Sequence, residues 1–131
     1  MQLTISPIGY VRSSCKEPAD LPKAGTPSVE AVLEIDEKYA EGLADVAVGD
    51  RLMVLFYFHL SKEAKLTVPL MGVGPMVGVF SSHSPTRPNF IGATNVTVES
   101  IDGTKLHVIG ADMLDGTPVL DLKPTPTKSE H

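Results

Sequence analysis

The stretch SHSPTRPNFIG, residues 82–92, sets a histidine, an arginine and an asparagine between and beside two prolines. His83 can take or give a proton near neutral pH. Arg87 can hold a planar anion or a row of carbonyls, and Asn89 can donate and accept hydrogen bonds at once. Pro85 and Pro88 each fix φ and restrict the residue before them, which lowers the entropy lost when such groups are ordered around a ligand. A plain hairpin would use a two-residue turn such as Asn-Gly. A second candidate, His59, ends the apolar run RLMVLFYFHL of residues 51–60. An imidazole there is either a core group satisfied by a carbonyl or a polar group at the mouth of a ligand cavity.

Other chemical signals are weaker. The glycines of GVGPMVG, residues 72–78, are followed by a strand and interrupted by Pro75, whereas a dinucleotide fingerprint needs a strand before and a helix after. They read as a flexible loop. Asp112, Asp115 and Asp121 lack calcium-loop spacing, and Asp115-Gly116 suits a turn. The four histidines show no zinc-ligand spacing, so no metal site is expected. His107 falls in a strand and His131 in the tail. The lone Cys15 has no internal disulfide partner and reads as a structural thiol.

The elements that must carry these residues are short and extended. Eleven prolines and eleven glycines in 131 residues favour turns over long helices, and 42% hydrophobic residues suffice for one core. Residues 2–12 form an edge strand or bulge, and 13–28 a long turn-rich loop. Alternation predicts a strand over VEAVLEI, 29–35, and Asp36 caps a short helix over EKYAEGLADV. Residues 51–60 read as a buried central strand, 61–75 as a loop with one short extended piece, and 76–82 as another strand. IGATNVTVESI alternates as a long strand. Asp102-Gly103 makes the hairpin turn into KLHVIGADML, and DGTPVLDLKP is a turn with a short last strand. The fold expected is mainly β, a small β-barrel with one short helix. The barrel domain spans 1–124, and 125–131 form a disordered tail.

Charge and composition bound the partners. The formal net charge is -5, with four basic and nine acidic side chains in residues 1–50. A nucleic-acid substrate therefore needs a local basic patch or a second subunit. MQLTISPIGYV lacks the pattern of a signal peptide, and no segment approaches the ~20 apolar residues of a membrane span. A cytoplasmic protein without membrane contact is expected.

PIGYVRSSCKEPADLP, VLFYFH, VGVFSSHSPTRPNFIG and DMLDGTPVLDLKP follow one another along the chain. In this order they resemble the TsaA-like (TrmO) family over about residues 7–124, with RPN-x-IG followed by LDGTPVLD-x-KP the most specific part. The resemblance implies a single-sheeted barrel that dimerises and binds S-adenosylmethionine without a dinucleotide-binding domain. It also implies methylation of N6 of threonylcarbamoyladenosine at position 37 of tRNA. Cofactor contacts carried over by motif are Ala24, Gly25, Thr26, His59, Leu60, His83, Asn95, Leu114, Asp115, Gly116 and Thr117. His59, His83, Arg87 and Asn89 are the residues assigned to catalysis. The chain departs from the family pattern at His83 and Leu60, where arginine is usual, at Phe90, where proline is usual, and at Thr125, where tyrosine is usual. These changes leave room for a small-molecule acceptor, or for a module that binds the cofactor without catalysis.

Overall fold

A computed structural model describes residues 1–21 and 29–126. The strands are β1 (Gly9–Ser13), β2 (Val29–Ile35), β3 (Arg51–Tyr57), β4 (Thr67–Pro69), β5 (Met76–Gly78), β6 (Ile91–Asp102), β7 (Lys105–Ala111) and β8 (Pro118–Pro124). Six of them close a barrel in the order β1-β2-β7-β6-β3-β8, and β4 and β5 form a separate two-stranded ribbon. Every pairing is antiparallel. The expected mainly β barrel is therefore what the chain forms.

Period-two alternation builds this wall because successive side chains point to opposite faces of a strand. Each barrel strand sends at least one side chain fully into the interior: Val11, Leu33, Val54, Val96, Leu106 and Val119. β3 is apolar on both faces. Leu52, Val54 and Phe56 are buried inside, while Met53, Leu55 and Tyr57 point outward.

Several boundaries differ from the reading above: β1 begins at Gly9 and not at residue 2, and β7 ends at Ala111 and not at residue 114. β3 stops at Tyr57 instead of running to residue 60, because the Ser61 N–H turns back to the Phe58 carbonyl at 3.1 Å. Residues 76–82 are not one strand. β5 ends at Gly78, and a 3-10 turn over Val79–Ser81 follows, with Val79 buried and its N–H bonded to the Leu66 carbonyl at 2.8 Å. The helix after Asp36 is a 3-10 helix over Glu37–Leu43, where the Asp36 carboxylate accepts the Lys38 N–H at 3.1 Å. It ends at Leu43, and beyond it the Asp50 carboxylate accepts the Ala47 N–H at 2.9 Å.

The β6–β7 turn sits one residue later than expected. Asp102 still pairs with Lys105, so the two turn residues are Gly103 and Thr104. Positive φ falls on Gly103 alone, at 61°, as a turn with glycine in its first central position requires. No helix among the described residues is long and apolar enough to cross a membrane.

Gly92 on β6 faces Phe56 and Phe58 so closely that a Cβ would meet both rings. Gly92→Ala should lower the stability measured by denaturant unfolding by roughly 1–3 kcal/mol, the usual cost of overpacking.

Candidate functional site

A cavity of about 210 Å³ opens where β3 ends, beside the turn into β8. Its floor is aromatic. Phe56 and Phe58, two residues apart on the same face, meet edge to face with ring centroids 5.0 Å apart. Leu21, from the short turn after β1, and Met113, just past β7, complete the apolar wall. His59, Leu60, Ser61, Asp112 and Pro85 bring polar and backbone groups to the rim. Such a hollow, apolar with a few polar groups at one edge, suits a flat heteroaromatic group.

The turn Leu114–Thr117 is locked from both sides. The Thr117 hydroxyl donates to the Leu114 carbonyl at 2.6 Å. The Asp115 N–H donates to the Cys15 carbonyl at 2.7 Å, and the Gly116 N–H to the Val11 carbonyl at 2.8 Å. Gly116 supplies the left-handed backbone, φ 83°, that the turn requires. The Asp115 carboxylate leaves the cavity. It accepts the Lys16 ammonium at 2.7 Å and the Ser13 N–H at 3.0 Å. The Lys16 bond and then the Ser13 N–H hold its pKa below the usual carboxylate value. Cys15 is buried in the same corner and its thiol donates to the Asp20 carbonyl at 3.3 Å.

In the 82–92 loop, Arg87 turns inward. Its Nη1 donates to the Ser82 carbonyl at 2.7 Å and to that of Ser84 at 3.4 Å. The Ser61 hydroxyl donates to the Pro85 carbonyl at 2.9 Å, so the loop is tied to the end of β3. Asn89 and Phe90 both have positive φ, 65° and 54°, and the Phe90 carbonyl accepts the Phe58 N–H at 2.8 Å. Arg87 is therefore a brace for this loop.

The motif residues thus divide. His59, Leu60, Leu114 and Thr117 line one cavity. Asp115 and Gly116 shape the turn, with the Asp115 carboxylate facing a groove beside Arg12 and His107. His83 is exposed and lines a different hollow, between the loop and the ribbon. Asn95 lies on the outer face of β6 opposite Met53, and its side-chain oxygen accepts the Thr125 hydroxyl at 3.1 Å. Asn89 is exposed in the loop. Ala24, Gly25 and Thr26 lie outside the described residues. The spacing of Phe56 and Phe58 was the available signal for the aromatic floor; Leu21, Asp112 and Met113 carried none. Asp112, Asp115 and Asp121 each have their own partner, respectively Thr94, Lys16 and Lys123.

A small closed antiparallel barrel with an aromatic-floored cavity beside its closing seam defines the class. Residues 10–130 match the tRNA-methyltransferase O N-terminal domain, and the chain belongs to the TrmO family. A crystal structure of TrmO from Pseudomonas aeruginosa superposes with a TM-score of 0.76 at 32% identity, over 96% of this chain and 57% of that one. A probable S-adenosyl-L-methionine-binding protein of Pyrococcus abyssi is 33% identical over 126 residues, 95% of this chain and 68% of that protein. A tRNA (adenine(37)-N6)-methyltransferase of Mus musculus is 37% identical over 134 residues, 93% of this chain and 30% of that protein. The chain therefore spans little more than half the length of the solved TrmO chain.

Asp115 gives a pH prediction. Its folded pKa is depressed, so its contribution is complete above the unfolded carboxylate value, about 3.9, and is lost as pH falls through the lower folded value. Asp115→Asn should cost about 1 kcal/mol at pH 7, with Lys16 largely solvent-screened. Chemical denaturation across pH should show the gap to the parent protein closing below about pH 4.

Proposed function

We propose that this chain is an S-adenosylmethionine-dependent methyltransferase that methylates N6 of adenine in tRNA, with threonylcarbamoyladenosine at position 37 as the acceptor. The observation that carries the reading is the cavity that gathers His59, Leu60, Leu114 and Thr117 over the Phe56–Phe58 floor. The family membership and the printed activity of the mouse relative support it.

The residues present fit the cofactor in part. The aromatic floor and the Leu21 and Met113 walls fit an adenine ring, and the rim hydroxyls and carbonyls fit its polar edge. When bound, the cofactor supplies an electrophilic methyl group. The chain's contribution is placement and proton removal. The urea-like acceptor nitrogen is a weak nucleophile, so alignment matters most. His59, half-buried at the rim, is the proposed acceptor of the proton that the nitrogen loses. Asp112 is less free to do so, since it already accepts the Thr94 hydroxyl at 2.6 Å. Arg87 acts through the loop it braces, and the assignment of Asn89 and His83 to catalysis has no contact with the cavity to support it.

One observation favours a second reading. Leu60 is 54% exposed at the rim, so the place of a family cation is an apolar surface, on a chain of net charge -5. A small-molecule acceptor would suit that rim better than RNA.

Homodimerisation is part of the proposal. Tyr57 and Ile91, paired across β3 and β6, are exposed on the outer wall next to Met53 and Leu55. An antiparallel sheet facing water carries polar residues there. Tyr57→Glu should shift the sedimentation coefficient from dimer to monomer; a parent protein that sediments as a monomer excludes the dimer.

The test of function is transfer of labelled methyl groups to tRNA bearing threonylcarbamoyladenosine. Transfer is expected from the purified protein, and His59→Ala should reduce kcat by about a hundredfold or more, the usual range for a lost general base. Cofactor binding without transfer to tRNA, but with transfer to a small acceptor, supports the second reading instead.

A further inference from the structure

The features that the proposed cofactor cavity leaves over lie together on the far side of Pro85. A hollow of about 540 Å³ separates the β4–β5 ribbon from the 82–92 loop. That volume falls within the ~300–1,000 Å³ of typical ligand sites. One wall is apolar: Val68, Leu70 and Met71. The opposite wall is polar: Ser82, His83, Ser84 and Thr86, with Lys65 at its edge. The polar wall is preset. The Lys65 N–H is bonded to the Thr86 carbonyl at 3.1 Å, the Ser84 and Thr86 hydroxyls lie 2.8 Å apart, and Arg87 holds the Ser82 and Ser84 carbonyls from behind.

The apolar wall carries strain. Met71 adopts φ 53° and ψ 26°, a left-handed conformation that a residue with a side chain rarely takes, and it is 78% exposed. A hydrophobic core does not explain this geometry. The turn of the β4–β5 ribbon does: the Val73 N–H meets the Leu70 carbonyl at 3.3 Å around Met71 and Gly72, and this turn leaves the Met71 side chain on the surface. Pro85 lines both the hollow and the cavity, so the two openings lie on either side of one residue.

We propose that this hollow is the acceptor subsite: it takes the adenine nucleotide to be methylated, with the base against Met71 and Leu70 and an anionic group of the nucleotide held by Lys65 and His83. The anion is a phosphate or a carboxylate on the modified base; both need a cation and hydroxyl donors, which this wall offers. The inference rests on the methyltransferase reading, and it assigns His83 to the acceptor and not to the cofactor. It also gives the glycine-rich turn a use, since Gly72, φ 83°, lets the chain double back beside Met71.

The experiment compares Lys65→Glu with Lys62→Glu, whose side chain does not line the hollow. With tRNA as acceptor, Lys65→Glu should raise KM at least tenfold and leave the dissociation constant of S-adenosylmethionine unchanged, while Lys62→Glu changes KM less than threefold. Equal effects of the two variants, or a weakened cofactor affinity in Lys65→Glu, overturn the proposal. An independent probe is titration with adenosine 5′-monophosphate, followed by the imidazole NMR signals. The His83 signals should shift in the parent protein and stay still in Lys65→Glu; unmoved His83 signals in the parent overturn the subsite. Repeating the KM comparison on RNA with unmodified adenine separates the two anions, because a carboxylate-reading Lys65 loses its effect there and a phosphate-reading one keeps it. If the parent protein transfers no methyl group to any RNA, the functional reading fails, and the nucleotide titration still decides the hollow.

Discussion

The seam between β1 and β8 is the constraint on which the rest of this molecule depends. Only Gly9 and Tyr10 pair in register with β8, opposite Val119 and Pro118. The closure is completed by Ile8 and Val11 N–H groups bonded to the Val119 and Thr117 carbonyls and by the Gly116 N–H bonded to Val11. A barrel without a free edge satisfies every wall strand on both sides. Here the final bonds of closure are made by the same turn, Leu114–Thr117, that lines the cavity. Stability and the shape of the cavity are therefore coupled at one place: a change that loosens the turn opens the seam as well as the cavity.

Electrostatics contributes position more than energy. The Arg12–Glu34 pair crosses from β1 to β2 at 3.0 Å with both side chains partly in water, where such pairs add little. The Lys16–Asp115 contact is also solvent-facing on the lysine side. What matters there is the Ser13 N–H, since a backbone donor held by a carboxylate fixes the path of the chain leaving β1. That segment then delivers Leu21 to the cavity wall.

Much of the fold was legible in sequence, for identifiable reasons. VEAVLEI, IGATNVTVESI and KLHVIGADML alternate because one face of each is core and the other solvent, and all three hold strands, the last only as far as Ala111. RLMVLFYFHL misled because its outer face is apolar too, which hid the point where the strand stops. MVGVFSS reads as a strand by composition, but buried Val79 pins a turn instead. The cavity was half legible: an apolar run ending in His59 and a Leu-Asp-Gly-Thr turn mark its two sides. Where Asn95 and Asp115 point was not legible. Strand register decides the first, and a tertiary partner 99 residues away decides the second.

The backbone at Phe90 has a further consequence. Its φ is 54°, while a proline ring holds φ near −65°. The resemblance of the 82–92 motif to its family implies proline at the position that Phe90 fills. Proline cannot occupy the path this loop takes, so the difference lies in the main chain and reaches beyond one side chain. Swapping in proline would redirect the carbonyl that receives the Phe58 N–H and, with it, the first residue beyond β3. A proline at this position would require a different main-chain path through residues 88–91, and with it a different hold on the end of β3.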